Sequence, residues 1–420
     1  MNTDKYIRPS LFILLALSFA GCSESGTPNP VISPATREEM WSNDIDVFAI
    51  ELPRRHVNLF ANISREEFNG EVSSLRQSVS QLDDAEIILG LARIVAGVGD
   101  AHTTLSVPAS APFHVFPLDL YWFSDGLTVV GAAHGFESVL GKRVLSIGGT
   151  PVRTVFDSVK CYFPHENDMW AKSQSPQALI IAELLIRAGL IADPMSASFE
   201  FEGAGSMVVS SVPLNAGQAG VSVLSTLSVP LPLYLKNTDA NYWCDRIDSA
   251  HAVYCQYNRC AIMASRPFSG FVADVLRLLD STGAEKFVLD LRENAGGNSS
   301  IIRPLIDGIK ARPSINRPGR LFVLIGRRTF SSALINSYEM KNETHAMFIG
   351  EPTGGKPNAC GEVQSFVLPY SHVSVQYSTK YFRFGSDDDL SLNPDLTVEL
   401  SSSDYLQGKD PVLDAALRFE

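Results

Sequence analysis

In Phe287-Val288-Leu289-Asp290-Leu291-Arg292-Glu293-Asn294-Ala295-Gly296-Gly297 an apolar triplet runs straight into a loop that closes on adjacent glycines. The triplet has the composition of a strand buried on both faces. Two glycines in a row let the backbone approach a ligand closely and leave amide groups free to hold an anion. Comparable apolar runs follow at Leu321-Phe322-Val323-Leu324-Ile325 and Met347-Phe348-Ile349, separated by helical patterns. That alternation predicts an α/β layer with parallel pairing.

Two further loops stand beside these strands. Thr329-Phe330-Ser331-Ser332-Ala333 lies between a buried strand and a helical pattern. A serine at such a turn has helix N-terminal amides beside it, where negative charge is favoured. Gly350-Glu351-Pro352-Thr353-Gly354-Gly355-Lys356-Pro357 is stiffened by two prolines and carries one lysine. Taken singly, each has a bland reading. A serine before a helix is usually an N-cap, paired glycines are usually a turn, and a lone lysine is usually a solvated charge.

Upstream, residues 37–110 read as a helical segment. Ser64-Arg65-Glu66-Glu67 has the pattern of a capping box, and Asp83-Asp84-Ala85-Glu86 opens another helix that Gly97 stops. The chain then turns through Val98-Gly99-Asp100-Ala101-His102-Thr103-Thr104-Leu105, where His102 by itself reads as a turn residue. Residues 111–230 form an intermediate region. Short strands are expected at Leu118-Asp119-Leu120-Tyr121-Trp122 and Leu127-Thr128-Val129-Val130, and the Gly148-Gly149 turn looks like part of a PDZ-type module. An amphipathic stretch follows near 177–189, then a weakly patterned run to about 235. Residues 231–420 form the α/β core, ending in period-2 segments such as His372 to Tyr377.

The chain has 420 residues, with 45% hydrophobic and 19% charged, enough to bury a sizeable core. Lys plus Arg is 34 against 46 for Asp plus Glu, a net charge of −12 with no basic run, which argues against nucleic acid as a partner. The apolar run Leu11 to Ala20 is shorter than a membrane span needs. It follows Lys5 and Arg8 and stops at Ser18-Phe19-Ala20-Gly21-Cys22, so residues 1–21 read as an export signal. The pattern resembles a bacterial lipoprotein signal, with Cys22 as the lipidated residue and a polar tether over 22–36. That resemblance implies a periplasm-facing, membrane-anchored protein, outer-membrane by the Ser23 that follows. Cys161, Cys244, Cys255, Cys260 and Cys360 have no metal-ligand spacing and read as structural or buried thiols.

Together, the loops resemble the tail-specific (C-terminal processing) protease family and its tricorn-like relatives. These are serine peptidases with a crotonase-like core. The resemblance is carried by Asp290 to Gly297, by the Ser331 turn, by Gly-Glu-Pro-Thr-x-Gly-Lys ending at Lys356, and by Asn393-Pro394-Asp395 near the C-terminus. It implies Ser331 as nucleophile and an oxyanion hole from Gly296 or Gly297 and Ser332. The processing branch uses its Lys as base, and Lys356 stands 25 residues after Ser331, the spacing of that branch. Leu334 and Asn342, however, stand where that branch has an acidic Glu and Asp. The tricorn-like branch uses a His, which Asp100-Ala101-His102-Thr103 resembles, with an acid that aligns near Asp388, between Asp387 and Asp389.

Physical chemistry ranks the two bases. An imidazole, with a pKa of ~6.5, accepts a serine proton near neutral pH with little tuning, whereas a lysine near ~10.4 needs strong desolvation. His102 oriented by Asp388 is therefore the favoured pair, with Lys356 as alternative base or substrate-binding cation. The expected activity is hydrolysis of polypeptide substrates without metal or organic cofactor. The alternatives are a catalytically silent binder of peptides or lipophilic molecules on the same fold, and a hydrolase of non-peptide esters.

Overall fold

The computed structural model describes residues 35–215, 221–223, 230–386 and 388–420. The export signal, Cys22, most of the tether and Asp387 lie outside the described residues. No helix among the described residues is long and apolar enough to cross a membrane.

The α/β core is a six-stranded sheet in the order Tyr242–Ile247, Ala252–Tyr257, Lys286–Asp290, Leu321–Ile325, Met347–Gly350 and Leu396–Thr397. The first pair is antiparallel and every later pair is parallel. The four inner strands follow one another in chain order, and crossovers of one hand then deliver their helices to one face. Alternation along the strands shows the result. Leu321, Val323 and Ile325 pack with residues of helices Phe268–Thr282, Arg303–Lys310 and Ser332–Glu343. Phe322 and Leu324 point the other way, toward Val412, Leu413 and Ala416 of helix Pro411–Arg418.

The N-terminal part is helical, as its capping patterns predict. Helices Arg37–Arg55, Arg65–Ser78 and Asp84–Gly97 each begin with a reciprocal capping box, on Thr36, Ser64 and Asp83. Strand Leu118–Phe123 pairs with Gly126–Ala133. A four-stranded sheet runs Thr150–Pro151, Val144–Ile147, Ser196–Phe201, Gly205–Ser210. Its Gly148 has φ of 58°, and a Cβ there would lie 2.1 Å from the Leu190 carbonyl oxygen, so glycine is required. The stretch near 177–189 differs from expectation. It is the end of a helix, Asp168–Ala178, followed by a separate short helix, Ala182–Arg187.

A long hairpin, Asn358–Val367 with Ser374–Arg383, leaves the core and pairs with Thr104–Ser106. Its Leu368, Val373, Val375 and Tyr377 are buried in the same apolar cluster as Trp41, Phe48 and Phe68 of the N-terminal helices. The C-terminal part of the chain thus clamps the loop that carries His102.

Beneath the site, Arg292 is held between two buried carboxylates, Asp290 at 2.6 Å and Asp410 at 2.8 Å. Tyr254 donates a further hydrogen bond to Asp290 Oδ2 at 2.7 Å. Removing one partner of such a cluster strands the others without compensation. Arg292→Met is expected to destabilise the chain by about 3–5 kcal/mol, read as a fall in the chemical-denaturation midpoint; a loss within 1 kcal/mol would show these charges to be solvated.

Candidate active site

The site forms where two adjacent parallel strands end. Asp290 pairs with Leu324 in register, so the loops that follow, 291–298 and 326–331, lie side by side. Thr329 staples them, donating from Oγ1 to the Leu291 carbonyl at 2.8 Å, and Phe330 N–H donates to the Asn294 carbonyl at 3.1 Å.

Ser331 sits at the start of helix Ser332–Glu343 with φ 51° and ψ −126°, a conformation L-residues rarely adopt. The turn is possible because the residue facing it has no side chain. A Cβ on Gly296 would lie 2.7 Å from Ser331 Cβ and 2.9 Å from Ser332 N. Buried Asn294 shapes this glycine turn, donating to the Tyr257 carbonyl at 2.8 Å and accepting from Gly296 N–H at 2.9 Å. Gly297 is pressed on Cys260, where a Cβ would come 2.3 Å from the carbonyl oxygen. Gly296 N–H is engaged by Asn294, whereas the amides of Gly297 and Ser332 beside Ser331 have no acceptor among the described residues. They offer hydrogen bonds to an anion at this corner.

His102 comes from the other half of the molecule and lines the same cavity, of about 660 Å³, as Ser331, Ser332, Gly297 and Lys356. Its ring stacks on Phe330, the residue before Ser331, with centroids 4.4 Å apart, and Phe330 stacks in turn on Trp170 at 4.0 Å. Both ring nitrogens of His102 are buried without a hydrogen-bond partner. The neighbouring Asp100 is saturated. Its Oδ2 accepts from His56 Nε2 at 2.9 Å and from the hydroxyls of Thr103 and Ser378, each at 2.6 Å. Its Oδ1 accepts from the His102 backbone amide at 2.9 Å, leaving His102 Nδ1 3.7 Å away. His56 is set for its role by accepting the Asn58 amide on Nδ1, which leaves Nε2 to donate. Burial would raise the Asp100 carboxyl, but His102, His56 and Ser378 outweigh it and hold the group far below the ordinary carboxylate range.

Glu166, from the intermediate region, points into the same place. A Glu166 oxygen, an Asp100 oxygen and a His102 nitrogen all lie within 4.8 Å of one another. Burial, and then the Asp100 charge, push the Glu166 carboxyl up to about 8, with the amides of Ala101 and Lys356 opposing only in part. Donors already claim both Asp100 oxygens, so this trio is a buried charge cluster rather than a ready metal centre.

Of the residues expected from sequence, the fold brings Ser331, Ser332, Gly296, Gly297, His102 and Lys356 to one cavity. It does not bring Asp388. That residue is exposed, its amide donating to Ser386 Oγ at 3.4 Å, and Asp389 accepts from the Ser386 amide at 3.1 Å. The carboxylates beside His102 are Asp100 and Glu166. Sequence reasoning passed over Glu166, Asn294 and Trp170. The Asp100 carboxylate was visible in Asp100-Ala101-His102-Thr103, but nothing in the primary structure announces Glu166. The five described cysteines are all free thiols, and burial pushes Cys360, on the cavity wall, up to about 12.

No family model and no curated protein sequence matches the chain. Among solved structures it shares its fold with mature CPAF complexed with lactacystin, at 13% identity, covering 90% of this chain and 98% of that one, with a TM-score of 0.62. Uncomplexed mature CPAF gives 13% identity, 91% and 97% coverage, and a TM-score of 0.61. The photosystem II D1 C-terminal processing protease is a more distant neighbour, at 12% identity, 91% and 97% coverage, and a TM-score of 0.41. At these identities the likeness to the two CPAF structures is one of fold.

Two outcomes follow from this geometry. Ser331→Gly is expected to raise stability by about 1–3 kcal/mol, because glycine adopts φ 51° without strain; an unchanged or lowered denaturation midpoint would show that the turn stores none. Glu166 gives a pH signature. Its folded pKa of about 8 lies above the ordinary carboxyl value of 4.5, so the stability it contributes is complete below about 4.5 and is lost as pH rises through 8. Glu166→Gln should therefore be more stable than the parent chain above pH 8, with the gap closing toward pH 4.5, in denaturation curves taken across that range.

Proposed function

We propose that this chain is a serine-type endopeptidase with Ser331 as nucleophile and His102 as general base. The observation that carries this reading is the Ser331 turn. A serine held at positive φ beside two amides without acceptors shares a cavity wall with an imidazole whose nitrogens have no hydrogen-bond partner. The strain costs about 1–3 kcal/mol, and an ordinary N-cap would not need it, because Ser331 makes no capping hydrogen bond.

In the reaction, Ser331 Oγ attacks the carbonyl carbon of the scissile peptide while His102 takes the hydroxyl proton. The carbonyl oxygen becomes an oxyanion that the amides of Gly297 and Ser332 hold, each such donor being worth about 3–4 kcal/mol of barrier. His102 returns the proton to the leaving amine, and a water activated by the same imidazole hydrolyses the acyl-enzyme. Apolar walls from Leu89, Leu105, Phe113, Ile181 and Leu184 favour substrates with apolar side chains. Lys356 serves as a cation for substrate binding. On this reading the six-stranded layer is a crotonase-like core, and the four-stranded sheet with helix Val152–Val159 is a PDZ-like module. Residues 1–21 direct export, Asp388 has no catalytic part, and lipid on Cys22 anchors the enzyme facing the periplasm.

A fluorophosphonate probe is expected to label the parent chain and not Ser331→Ala; no labelling of the parent sinks the hydrolase reading. His102→Ala is expected to lower peptide turnover at least ~100-fold and Lys356→Ala by less, and the reverse order would transfer the base to Lys356. Cys22→Ser is expected to move the chain from the membrane to the soluble fraction of fractionated cells.

A further inference from the structure

A histidine that accepts a serine proton needs an acidic partner for its second nitrogen, to hold the ring and to stabilise the imidazolium. The residue aligned for that task, Asp388, is exposed and bonded to the turn at Ser386. Asp100 is close but spent, since one oxygen takes three donors and the other takes the His102 amide.

We propose that Glu166 is the positioning acid of His102, its carboxyl meeting the imidazole nitrogen that does not face Ser331. The proposal rests on the reading of Ser331 and His102 as nucleophile and base. Three observations lead to it. First, a Glu166 oxygen lies within 4.8 Å of both a His102 nitrogen and an Asp100 oxygen. Second, six buried side-chain polar atoms among the described residues lack a partner, and three of them are the two His102 nitrogens and Glu166 Oε2. Buried polar atoms are rarely left unpaired, and here donor and acceptor capacities match across one small gap. Third, Glu166 lines the same cavity as Ala101, His102, Ser331 and Lys356, so it stands between the loops that carry them. The following Asn167 fixes the segment, donating to the carbonyls of Thr353 at 3.2 Å and Leu390 at 2.7 Å.

The groups facing Glu166 account for its state before substrate arrives. Asp100 and Cys360 flank it as acidic groups, His102 and Lys356 as basic ones, and His56 lies behind Asp100. With Asp100 ionised, Glu166 keeps its proton most easily. When His102 becomes cationic in the reaction, the field at Glu166 reverses. An oxygen of its carboxyl accepts the second N–H of the imidazolium with no proton leaving Glu166, so the contact tightens as charge develops, the regime in which an interaction accelerates a reaction. Asp100 then acts one step further back, fixing the backbone of His102 rather than its ring.

The test compares Glu166→Gln, Glu166→Asp and Asp388→Asn in the full chain, with two readouts. Peptide turnover in Glu166→Gln is expected to fall at least ~30-fold in kcat with KM within ~3-fold, Glu166→Asp to recover part of that loss, and Asp388→Asn to stay within ~3-fold of the parent. In the Ser331→Ala background, where no turnover occurs, the ring nitrogen resonances of His102 are expected to shift with Glu166→Gln and to stay put with Asp388→Asn. A kcat for Glu166→Gln within ~3-fold of the parent overturns the proposal. So do His102 resonances that respond to Asp388→Asn and not to Glu166→Gln. The resonances report the contact even where the parent chain shows no turnover, so failure of the peptidase reading is told apart from failure of this one.

Discussion

The buried carboxylate of Asp100 is the point from which the rest of the candidate site is hung. An ion of this kind costs several kcal/mol to take out of water and survives only if donors surround it. Here the donors come from three separate stretches: His56 at the end of the first helix, Thr103 and the His102 amide in its own loop, and Ser378 from the long C-terminal hairpin. Losing any of them would leave a charge uncompensated. The arrangement therefore locks the N-terminal helices to the hairpin and sets where His102 stands.

The other half of the site is built on a different principle, close approach of backbones. Ser331 is held in a strained turn because Gly296 leaves it room, and Gly355 packs against the same loop, where a Cβ would lie 2.9 Å from Leu334 Cδ2. The energy of that strain is repaid by buried apolar strands underneath, whose alternating side chains fill two separate clusters on the two faces of the sheet. Rigidity on one side and charge on the other meet at the stack of Trp170, Phe330 and His102.

The intermediate region is accordingly part of the framework of the cavity. Arg327, at the start of the Ser331 loop, donates to the Trp122 carbonyl at 2.7 Å and forms a buried ion pair with Glu351. Trp170 supplies one layer of the stack, Glu166 stands beside His102 and Asp100, and Asn167 donates to the Thr353 carbonyl. A region whose sequence reads as an appendage thus closes one wall of the cavity.

Much of the framework was legible in the primary structure because it rests on local rules. The capping boxes at Ser64 and Asp83, the apolar runs at 287–289, 321–325 and 347–349, and the glycines after Asp290 each follow from the conformations that neighbouring residues permit. Ser331 and His102 could also be singled out, through motifs that keep their order along the chain. What local rules do not contain is which distant groups share a small volume. Asp388 lies near where the motif resemblance places an acid but ends on an exposed turn, whereas Glu166 ends beside the imidazole. The order of strands and turns is written in near-neighbour preferences, but the identity of a charged partner depends on which side chains folding desolvates together. Only the tertiary structure decides that, because the interaction becomes strong enough to matter only once water has been excluded.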